Sequence, residues 1–369
     1  MRVAILTHNV QFGDAIGNQV AEKLAFFLDS GADVRVFAES GRRLHPDVAA
    51  HCRRLDDVPE GEGWHFLTGA DLVIVEYGQS YRLLNLLPLL ARSKPRIIFD
   101  YHGVTPPTAW GKQPGAFLTR SLTDRGVAWC ADALLTHSLS ASDDLQREIG
   151  YPVERTFSLG YPIDTSFWSP GAPETDLRSE LGIGWAPLLL FVGRLAPNKR
   201  VPLLVEAVGR LRSRDVHLVV IGDTGDLYEE EAARCQRRAE ELGVSGQVHL
   251  LGQVANYRLR DAYRSADLFV MPSVHEGFCL PVLEAMACGV PVLAARATAL
   301  PETVGDAGLT FAADNVNDLS TQIERLLDPE PLLTSSPVSS AEMNDRQQAT
   351  TDAAVPQPIK DVGRAMAAA

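Results

Sequence analysis

Short runs of branched aliphatic residues alternate with segments of helical length through most of this chain. Such alternation is typical of βα units wound around parallel sheets. The runs predict strands at 2–7, 33–38, 71–76, 96–100 and 133–136, and again at 187–193, 216–222, 247–250, 267–271 and 290–294. Helices are predicted between them, in the first half at 18–30, 83–92, 117–129 and 140–148. The two series predict an α/β protein with two doubly wound, parallel-sheet domains.

The stretch between the two series, 161–176, is rich in Gly, Pro, Ser and Asp and has no apolar period. Such a segment is typical of a linker, and we therefore predict Rossmann-like domains at 1–160 and 177–330. The length of 369 residues agrees with two domains, since one ordinary core holds roughly 100 to 200 residues. Residues 331–369 are poor in aromatic and large aliphatic side chains, which predicts a disordered tail of low complexity.

Charge excludes some classes of partner. The chain carries 34 Lys and Arg against 47 Asp and Glu, a formal net charge of −13. Tight contact with nucleic acid or with an anionic membrane needs clustered basic residues. We therefore expect no nucleic-acid partner, while peripheral contact with a membrane stays open.

Three further features favour a cytoplasmic protein. The five cysteines form no CxxC pair, so neither a disulfide framework nor a zinc cluster is indicated. The N-terminus lacks the pattern of a signal peptide. The most apolar stretch, 83–91, is far shorter than the ~20 residues of a membrane span, and we expect no transmembrane segment.

Ligands of open α/β sheets bind beyond the carboxyl ends of the strands, so the segments that follow strands are candidate sites. Five such segments contain unusual residues: THNVQFGDAIGN, YHGVTPP, RLAPNKR, DTGD and PSVHEGFCLP. Two belong to the first series and three to the second. We therefore expect one ligand to lie between the two domains.

The most informative segment is HEGFCLPVLEAMACGVP. Pro281 suits the first turn of a helix, so we predict a helix from Leu280 to about Cys288 that ends at Gly289. The main-chain amides at its start lie at the positive end of the helix dipole, which is a site for an anion such as phosphate. The residues that carry these amides are Gly277, Phe278, Cys279 and Leu280.

Two glutamates flank this helix start. Glu276 lies just before the helix and Glu284 about one turn inside it. A carboxylate beside a phosphate would be repelled, so we interpret both as acceptors for hydroxyls of a sugar or a ribose. The alternative is a helix cap and an ordinary glutamate on a helix face. The preceding strand, the glycine and the proline together favour a binding site.

Two cations follow another strand of the second series. Arg194 and Lys199 lie five residues apart in GRLAPNKR. Arginine binds a diphosphate by its planar fork and lysine by a mobile point charge. Basic residues in loops are more often simply solvated, but this position after a strand favours a role in binding.

The first series offers weaker candidates. Gly13 and Gly17 in FGDAIGN are interpreted as loop glycines that let main-chain amides approach a ligand. His102 lies at the end of a strand and is either a structural histidine or a ligand contact. No DxD pair follows a strand, so no metal site for a diphosphate is expected. GxSxG, HExxH and P-loop motifs do not occur, which disfavours the common hydrolases, zinc proteases and NTPases.

From FVGRLAPNKR through HEGFCLPVLEAMACGVPVLAARATALPETVGDAG the second half resembles the retaining glycosyltransferases of family GT4, the glycosyl transferases of group 1, which have the GT-B fold. Glu276 and Glu284 match the E-x7-E pair of that family. The first half is similar to a GT4 branch with a DAIGN loop and a YHNITPP-like motif, although Gly103 stands where that branch often has Asn. The resemblance covers residues 1–328.

The resemblance implies an enzyme that transfers a hexose, with retention and without a cofactor or metal. The donor would be a nucleotide-diphosphate sugar and the acceptor a hydroxyl of a glycan, a glycolipid or a small molecule. Glu276 and His102 would be the catalytic residues that touch the sugar, and Glu284 would bind the ribose. The donor phosphates would be held by Arg194, Lys199, Gly13 and Gly17.

Rival functions remain at this point. One is a GT-B-like sugar nucleotide epimerase or hydrolase, and another is a nucleotide-sugar-binding protein without turnover. A dehydrogenase is disfavoured because no GxGxxG with a following acid occurs. The sequence leaves open the base of the donor, its hexose and the acceptor.

Overall fold

A computed structural model of the chain describes residues 1–11, 13–40, 44–54, 61–110, 115–225 and 228–328. Among these residues thirteen strands form two sheets. The first sheet contains β1 Arg2–Thr7, β2 Asp33–Ala38, β3 Cys52–Arg54, β4 Leu72–Tyr77, β5 Arg96–Tyr101, β6 Ala133–Thr136 and β7 Thr156–Ser158. The second contains β8 Leu188–Val192, β9 His217–Ile221, β10 Val248–Gly252, β11 Leu268–Met271, β12 Val292–Ala295 and β13 Leu309–Phe311.

Both sheets have the strand order of a doubly wound fold. The first is ordered β3-β2-β1-β4-β5-β6-β7 and the second β10-β9-β8-β11-β12-β13, and every pair within them is parallel. The order reverses between β1 and β4, and between β8 and β11. Because ligands bind beyond the carboxyl ends of the strands at such a reversal, the segments after these four strands are where a site is expected.

All ten predicted strands are confirmed, and three strands were missed. The missed strands β3, β7 and β13 each contain three residues and each lies at the edge of a sheet. A segment of three residues is too short to show an alternating apolar pattern, and an edge strand has a neighbouring strand on one side only. Only their pairing in the folded chain identifies them.

The helices lie between successive strands, apart from the last helix, which follows β13. They are α1 Ala15–Asp29, α2 Glu62–Thr68, α3 Leu87–Leu90, α4 Pro107–Trp110, α5 Ala116–Asp124, α6 Leu139–Ile149, α7 Leu177–Leu181, α8 Val201–Arg210, α9 Glu229–Leu242, α10 Asn256–Ser265, α11 Leu280–Ala287, α12 Leu300–Val304 and α13 Val316–Leu327. Two predicted helices were too long. The first, at 83–92, is a 3₁₀ turn at Arg82–Leu86 followed by α3. The second, at 117–129, ends as an α-helix at Asp124 and continues as a 3₁₀ helix.

Each sheet is buried on both faces, as a doubly wound fold requires. In β1, Val3 and Ile5 belong to one apolar cluster, while Ala4 and Leu6 belong to another on the opposite face. All five residues of β8 and all five of β9 are buried. Full burial of one large aliphatic or aromatic side chain contributes roughly 1.5–3 kcal/mol to stability, so these central strands fix the two cores.

Residues 159–176, between the two sheets, form neither helix nor strand, and the linker at 161–176 stays a prediction. Met1–Leu327 form one compact unit, and we call the parts around the two sheets the first and second domains. The bounds 1–160 and 177–330 stay predictions, and the predicted tail, 331–369, lies outside the described residues. No helix in the described part of the chain is both long and apolar enough to cross a bilayer.

Candidate functional site

The predicted helix after β11 is confirmed. Helix α11 runs from Leu280 to Ala287 with Pro281 in its first turn, and its C-cap, Cys288, is followed by Gly289 in a left-handed conformation. Cys279, just before the helix, has a φ of 90°. Left-handed backbone in a residue other than glycine is strained, and such strain clusters at functional sites. The loop at 276–280 is therefore held in a shape that the surrounding fold imposes.

Lys199 and Glu276 meet across the reversal point of the second sheet. The Lys199 Nζ donates to Glu276 Oε1 at 2.5 Å, and the two side chains are only 13% and 11% exposed. One follows β8 and the other follows β11, which are neighbours in the sheet. Two of the predicted site residues thus come together, but any diphosphate would have to share Lys199 with this carboxylate.

Arg194 lies close to the same carboxylate and to a group of the first domain. Desolvation would lower the pKa of its guanidinium, but the Tyr228 hydroxyl and the carboxylates of Asp14 and Glu276 outweigh it, so that this pKa is raised. Asp14 precedes helix α1 without capping it through its side chain. Sequence reasoning missed Asp14, although it lies inside the FGDAIGN motif.

The environment of Glu284 differs from that of Glu276. Burial raises the pKa of this carboxyl to about 7, and the hydrogen bond from Tyr263 only partly offsets the effect. The Tyr263 hydroxyl donates to Glu284 Oε2 at 2.8 Å. Glu284 is therefore a group whose charge changes close to neutral pH.

The two glycines of FGDAIGN differ in their setting. Gly13 lies in the loop after β1 with a φ of 78°, as interpreted from sequence. The loop interpretation is wrong for Gly17, which is buried in helix α1. A Cβ on Gly17 would stand 2.0 Å from the carbonyl oxygen of Gln11, so its visible role is to let the helix pack on the preceding loop. Contact of either glycine with a phosphate stays a prediction.

His102 lies in a polar cluster, where its side chain is only 4% exposed. Its Nε2 lies 2.6 Å from Glu76 Oε2, and its Nδ1 is hydrogen-bonded to the hydroxyl of Tyr161. Both ring nitrogens thus have protein partners. Tyr161 comes from the segment between the domains, and no sequence signal marked it as a partner of His102. Contact of His102 with a sugar stays a prediction.

Lys23 neutralises the carboxylates of this cluster. Its Nζ donates to Glu76 Oε1 at 2.7 Å and also to Asp100, whose other oxygen lies 2.7 Å from His137 Nε2. Desolvation would raise the pKa of Asp100, but the Lys23 ammonium and the hydrogen bond from His137 outweigh it and hold that pKa well below its usual range. Asp100, His102 and His137 place potential metal-ligand atoms within 4.8 Å of one another, yet the Lys23 ammonium already binds the Asp100 carboxylate.

The 276–280 loop of the second domain touches the first domain directly. A Cβ on Gly277 would stand 2.0 Å from the His102 carbonyl oxygen, and one on Gly103 would stand 2.9 Å from Gly277 Cα. Gly103 also has a φ of 89°. The glycine at 103, where the resembling branch often has Asn, therefore has a physical reason: two glycines allow the main chains of the two domains to meet.

Two polar contacts reinforce this meeting. The Ser138 hydroxyl caps helix α6 of the first domain and donates to the Gly277 carbonyl oxygen at 2.8 Å. The Glu302 carboxylate, from α12 of the second domain, accepts from the amides of Leu139 and Ser140 at the start of α6. A carboxylate at a helix N-terminus is favourable because it meets free amides and the positive end of the dipole. Neither contact was predicted from sequence.

Comparison with known proteins gives one family match and several relatives. Residues 186–329 match the family model described as Glycosyl transferases group 1. The chain is 32% identical to D-inositol 3-phosphate glycosyltransferase 2 of Catenulispora acidiphila, over 55% of this chain and 49% of that protein. It is 31% identical to alpha-maltose-1-phosphate synthase of Mycolicibacterium smegmatis, over 65% of this chain and 64% of that protein. The chain thus spans about half to two thirds of the length of these relatives.

Solved structures resemble a larger part of the chain. An Anabaena protein in complex with UDP and glucose matches with a TM-score of 0.74 at 18% identity, over 89% of this chain and 90% of that one. Sucrose-phosphate synthase from Thermosynechococcus elongatus matches with a TM-score of 0.71 at 21% identity, over 88% and 89%. At such identities the likeness concerns the fold, and it confirms the predicted GT-B arrangement of two parallel-sheet domains.

Proposed function

We propose that the protein transfers a hexose from a nucleotide-diphosphate sugar to a hydroxyl acceptor. The premise is that residues 186–329 match the family model described as Glycosyl transferases group 1. The observation that carries the proposal is the convergence of Arg194, Lys199 and Glu276 at the start of helix α11. Cations and free amides suit a diphosphate, and a carboxylate beside them suits sugar hydroxyls.

The diphosphate would be bound without a metal. Arg194 offers a planar fork of donors, Lys199 a point charge, and the amides of 277–280 the positive end of a helix dipole. These groups are fixed before the reaction, so they stabilise charge that develops on the departing nucleotide without reorganising. The left-handed turn at Cys279 supports this role because it holds the loop in one shape.

The transfer would proceed with retention on one face of the sugar. The bond between the anomeric carbon and the phosphate oxygen breaks, and the acceptor oxygen forms a bond to the same carbon on the same face. The acceptor proton passes to the departing phosphate oxygen. Glu276 is the carboxylate closest to this centre in the proposal, where it would accept sugar hydroxyls and stabilise positive charge on the ring. Glu284 would accept the ribose hydroxyls.

The two rival functions differ in their products. An epimerase or hydrolase would release an epimer or free sugar, and a binding protein would bind a nucleotide without any product. The Anabaena structures similar to this chain contain UDP and UDP-glucose, which makes UDP-glucose the first donor to test. A glycosylated hydroxyl product is the outcome that distinguishes a transferase from both rivals.

The first experiment is a thermal-melting screen followed by a transfer assay. UDP, GDP and ADP, each free and as the glucose conjugate, are added at increasing concentration, and we expect one base to raise the Tm. A ligand present at 100 times its Kd stabilises the folded state by about 2.7 kcal/mol. The stabilising nucleotide sugar is then incubated with a panel of hydroxyl acceptors, and the anomer of the product is read by NMR.

Retention of the anomeric configuration is the expected result of that assay. Inversion would contradict the proposed same-face route. A screen in which all three bases leave the Tm unchanged would contradict the proposed site itself.

Glu284 gives a pH-dependent prediction. Because its pKa is raised to about 7, ionisation of the carboxyl is disfavoured in the folded protein. As pH rises from 6 to 8 the carboxylate forms, and we expect UDP-glucose or the matching nucleotide sugar to bind more tightly, since a carboxylate accepts two ribose hydroxyls. Isothermal titration calorimetry at several pH values measures this. A nucleotide sugar is used because its diphosphate does not titrate in this range.

The variant Glu284→Gln is the matched control for that measurement. It keeps the shape of the side chain but cannot ionise, so we expect weaker binding that no longer changes between pH 6 and 8. The raised pKa of Glu284 also lowers the free energy of unfolding as pH rises from about 4.5 to about 7. Over this range the Glu284 carboxyl loses its proton in the unfolded chain but keeps it in the folded protein. Binding that changes equally with pH in both proteins would assign the effect to another group.

A further inference from the structure

Five ionisable side chains form a buried cluster at the carboxyl ends of the first sheet. They are Lys23, Glu76, Asp100, His102 and His137. The side chains of Glu76 and Asp100 are fully buried, and Lys23 is 20% exposed. An unbalanced charge in such a place is costly. The cluster is therefore expected to balance its charges internally.

The hydrogen bonds of His137 fix its protonation. Its Nδ1 lies 3.0 Å from the Leu159 carbonyl oxygen, and its Nε2 lies 2.7 Å from Asp100 Oδ1. Both partners can only accept, so both ring nitrogens must carry a hydrogen and His137 is an imidazolium. The charges of His137 and Lys23 then balance those of Glu76 and Asp100.

His102 is left as the neutral member. Its Nε2 donates to the Glu76 carboxylate at 2.6 Å, and a neutral imidazole that donates from Nε2 keeps its lone pair on Nδ1. That lone pair accepts a hydrogen bond from the hydroxyl of Tyr161. Burial raises the pKa of Tyr161 well above its usual value, so this hydroxyl stays protonated and remains a donor. The carboxylate on one side and the phenol on the other thus select one tautomer of His102.

Tyr161 also reaches the second domain. Its ring stacks on His137 with 3.8 Å between the centroids and meets the ring of Phe278 edge-on at 5.1 Å. Phe278 lies in the 276–280 loop, whose neighbouring Gly277 packs on the His102 carbonyl. Tyr161, which lies between the domains, therefore contacts residues of both domains at their interface.

We propose that Tyr161 is a positioning residue for sugar transfer. It holds His102, which is neutral and protonated at Nε2, in a fixed position relative to the 276–280 loop. The hydroxyl acts through His102 Nδ1, and the ring acts through His137 and Phe278. The catalytic part of this inference rests on the proposed transferase function, whereas the protonation pattern of the two histidines does not. Misplacing reacting groups by a fraction of an ångström lowers kcat more than it weakens substrate binding.

The test variant is Tyr161→Phe, which keeps the ring packing and removes the hydroxyl. Its matched control is Tyr151→Phe, because the buried Tyr151 hydroxyl also donates to a single acceptor in the first domain, the Ala131 carbonyl at 3.1 Å. We expect kcat of Tyr161→Phe to fall ~3- to 10-fold, as for the loss of one neutral hydrogen bond. The KM for the nucleotide sugar should stay within ~2-fold. Tyr151→Phe should keep the kcat of the parent protein.

A second readout needs no substrate. Protein labelled with ¹⁵N-histidine is studied by long-range ¹H–¹⁵N NMR, with the His102 signals assigned through His102→Gln. We expect one bare nitrogen, Nδ1, in His102 and two protonated nitrogens in His137. Tyr161→Phe should shift the Nδ1 signal of His102 and leave His137 protonated, while Tyr151→Phe should shift neither.

The two readouts separate failure of this inference from failure of the proposed function. If the protein transfers no sugar, the proposed function fails, and the NMR pattern still decides whether Tyr161 fixes His102. A protonated His102 Nδ1 in the parent protein would overturn the inference. An unchanged Nδ1 signal together with an unchanged kcat in Tyr161→Phe would also overturn it.

Discussion

Gly277→Ala is expected to reduce sugar transfer by at least ~100-fold while the protein still folds and still binds nucleotide. The new Cβ would stand 2.0 Å from the His102 carbonyl oxygen, so the main chains of the two domains have to separate by more than an ångström. The amides and cations that would hold the diphosphate belong to the second domain and stay together. We therefore expect the loss in kcat, measured with saturating nucleotide sugar, and a nearly unchanged rise of Tm with nucleotide.

Gly246→Ala is the control for this variant. Gly246 also belongs to the second domain, and a Cβ there meets no atom within 4 Å, so transfer should remain at the level of the parent protein. Transfer by Gly277→Ala within a few-fold of the parent would show that the close approach of the two main chains is not needed for catalysis.

Glu276→Gln and Arg194→Ala are each expected to reduce transfer by more than ~100-fold, but for different reasons. The glutamine is nearly isosteric, so it removes the negative charge that would stabilise the reacting sugar and keeps the shape of the side chain. The same charge is the ionic partner of Lys199. Its loss frees the ammonium for phosphate, so we expect nucleotide to bind at least as tightly as before. The alanine removes a planar donor for the diphosphate, so nucleotide binding should weaken together with transfer. Transfer rates and calorimetric affinities measured on both variants test this difference.

Glu206→Gln is the matched control for the charge. Glu206 is a partly exposed carboxylate of the second domain that pairs with Arg238 at 3.3 Å, and its loss should leave transfer unchanged. Near-normal rates in both Glu276→Gln and Arg194→Ala would defeat the assignment of the site. Weak nucleotide binding by Glu276→Gln would show that the ion pair with Lys199 organises the site, and it would contradict a purely electrostatic role for the carboxylate.

Features that are local in the chain were predicted from the sequence. The helix after β11 begins at the expected residue because Pro281 and the following apolar residues define a helix start within a few positions. The segments after β8 and β11 were predicted to form a site because the strand pattern alone shows where strands end. Lys199 and Glu276, 77 residues apart, meet because parallel strands bring their carboxyl ends to one edge, although their ion pair was not predicted.

Features that depend on burial were not predicted. Lys23 and Glu76, 53 residues apart, look in the sequence like an ordinary helix lysine and a strand-end acid, yet they form a buried ion pair. The same holds for Gly17, whose glycine is required by a helix packed on Gln11 rather than by a ligand loop. Nothing in the local sequence states which side chains lose water on folding, and that loss decides where charges must pair.

The sequence by itself determined the two series of strands, the doubly wound architecture and the start of helix α11, because each follows from a repeating pattern or a turn of a few residues. Only the tertiary structure decided that Tyr161 would meet His102, that Gly103 and Gly277 would touch, and that Glu302 would cap helix α6. Two of these contacts join the two domains, and the contact of Tyr161 joins the first domain to the segment between them. Such contacts stabilise the protein only in the folded chain, where packing excludes water and brings together groups that lie far apart in the sequence.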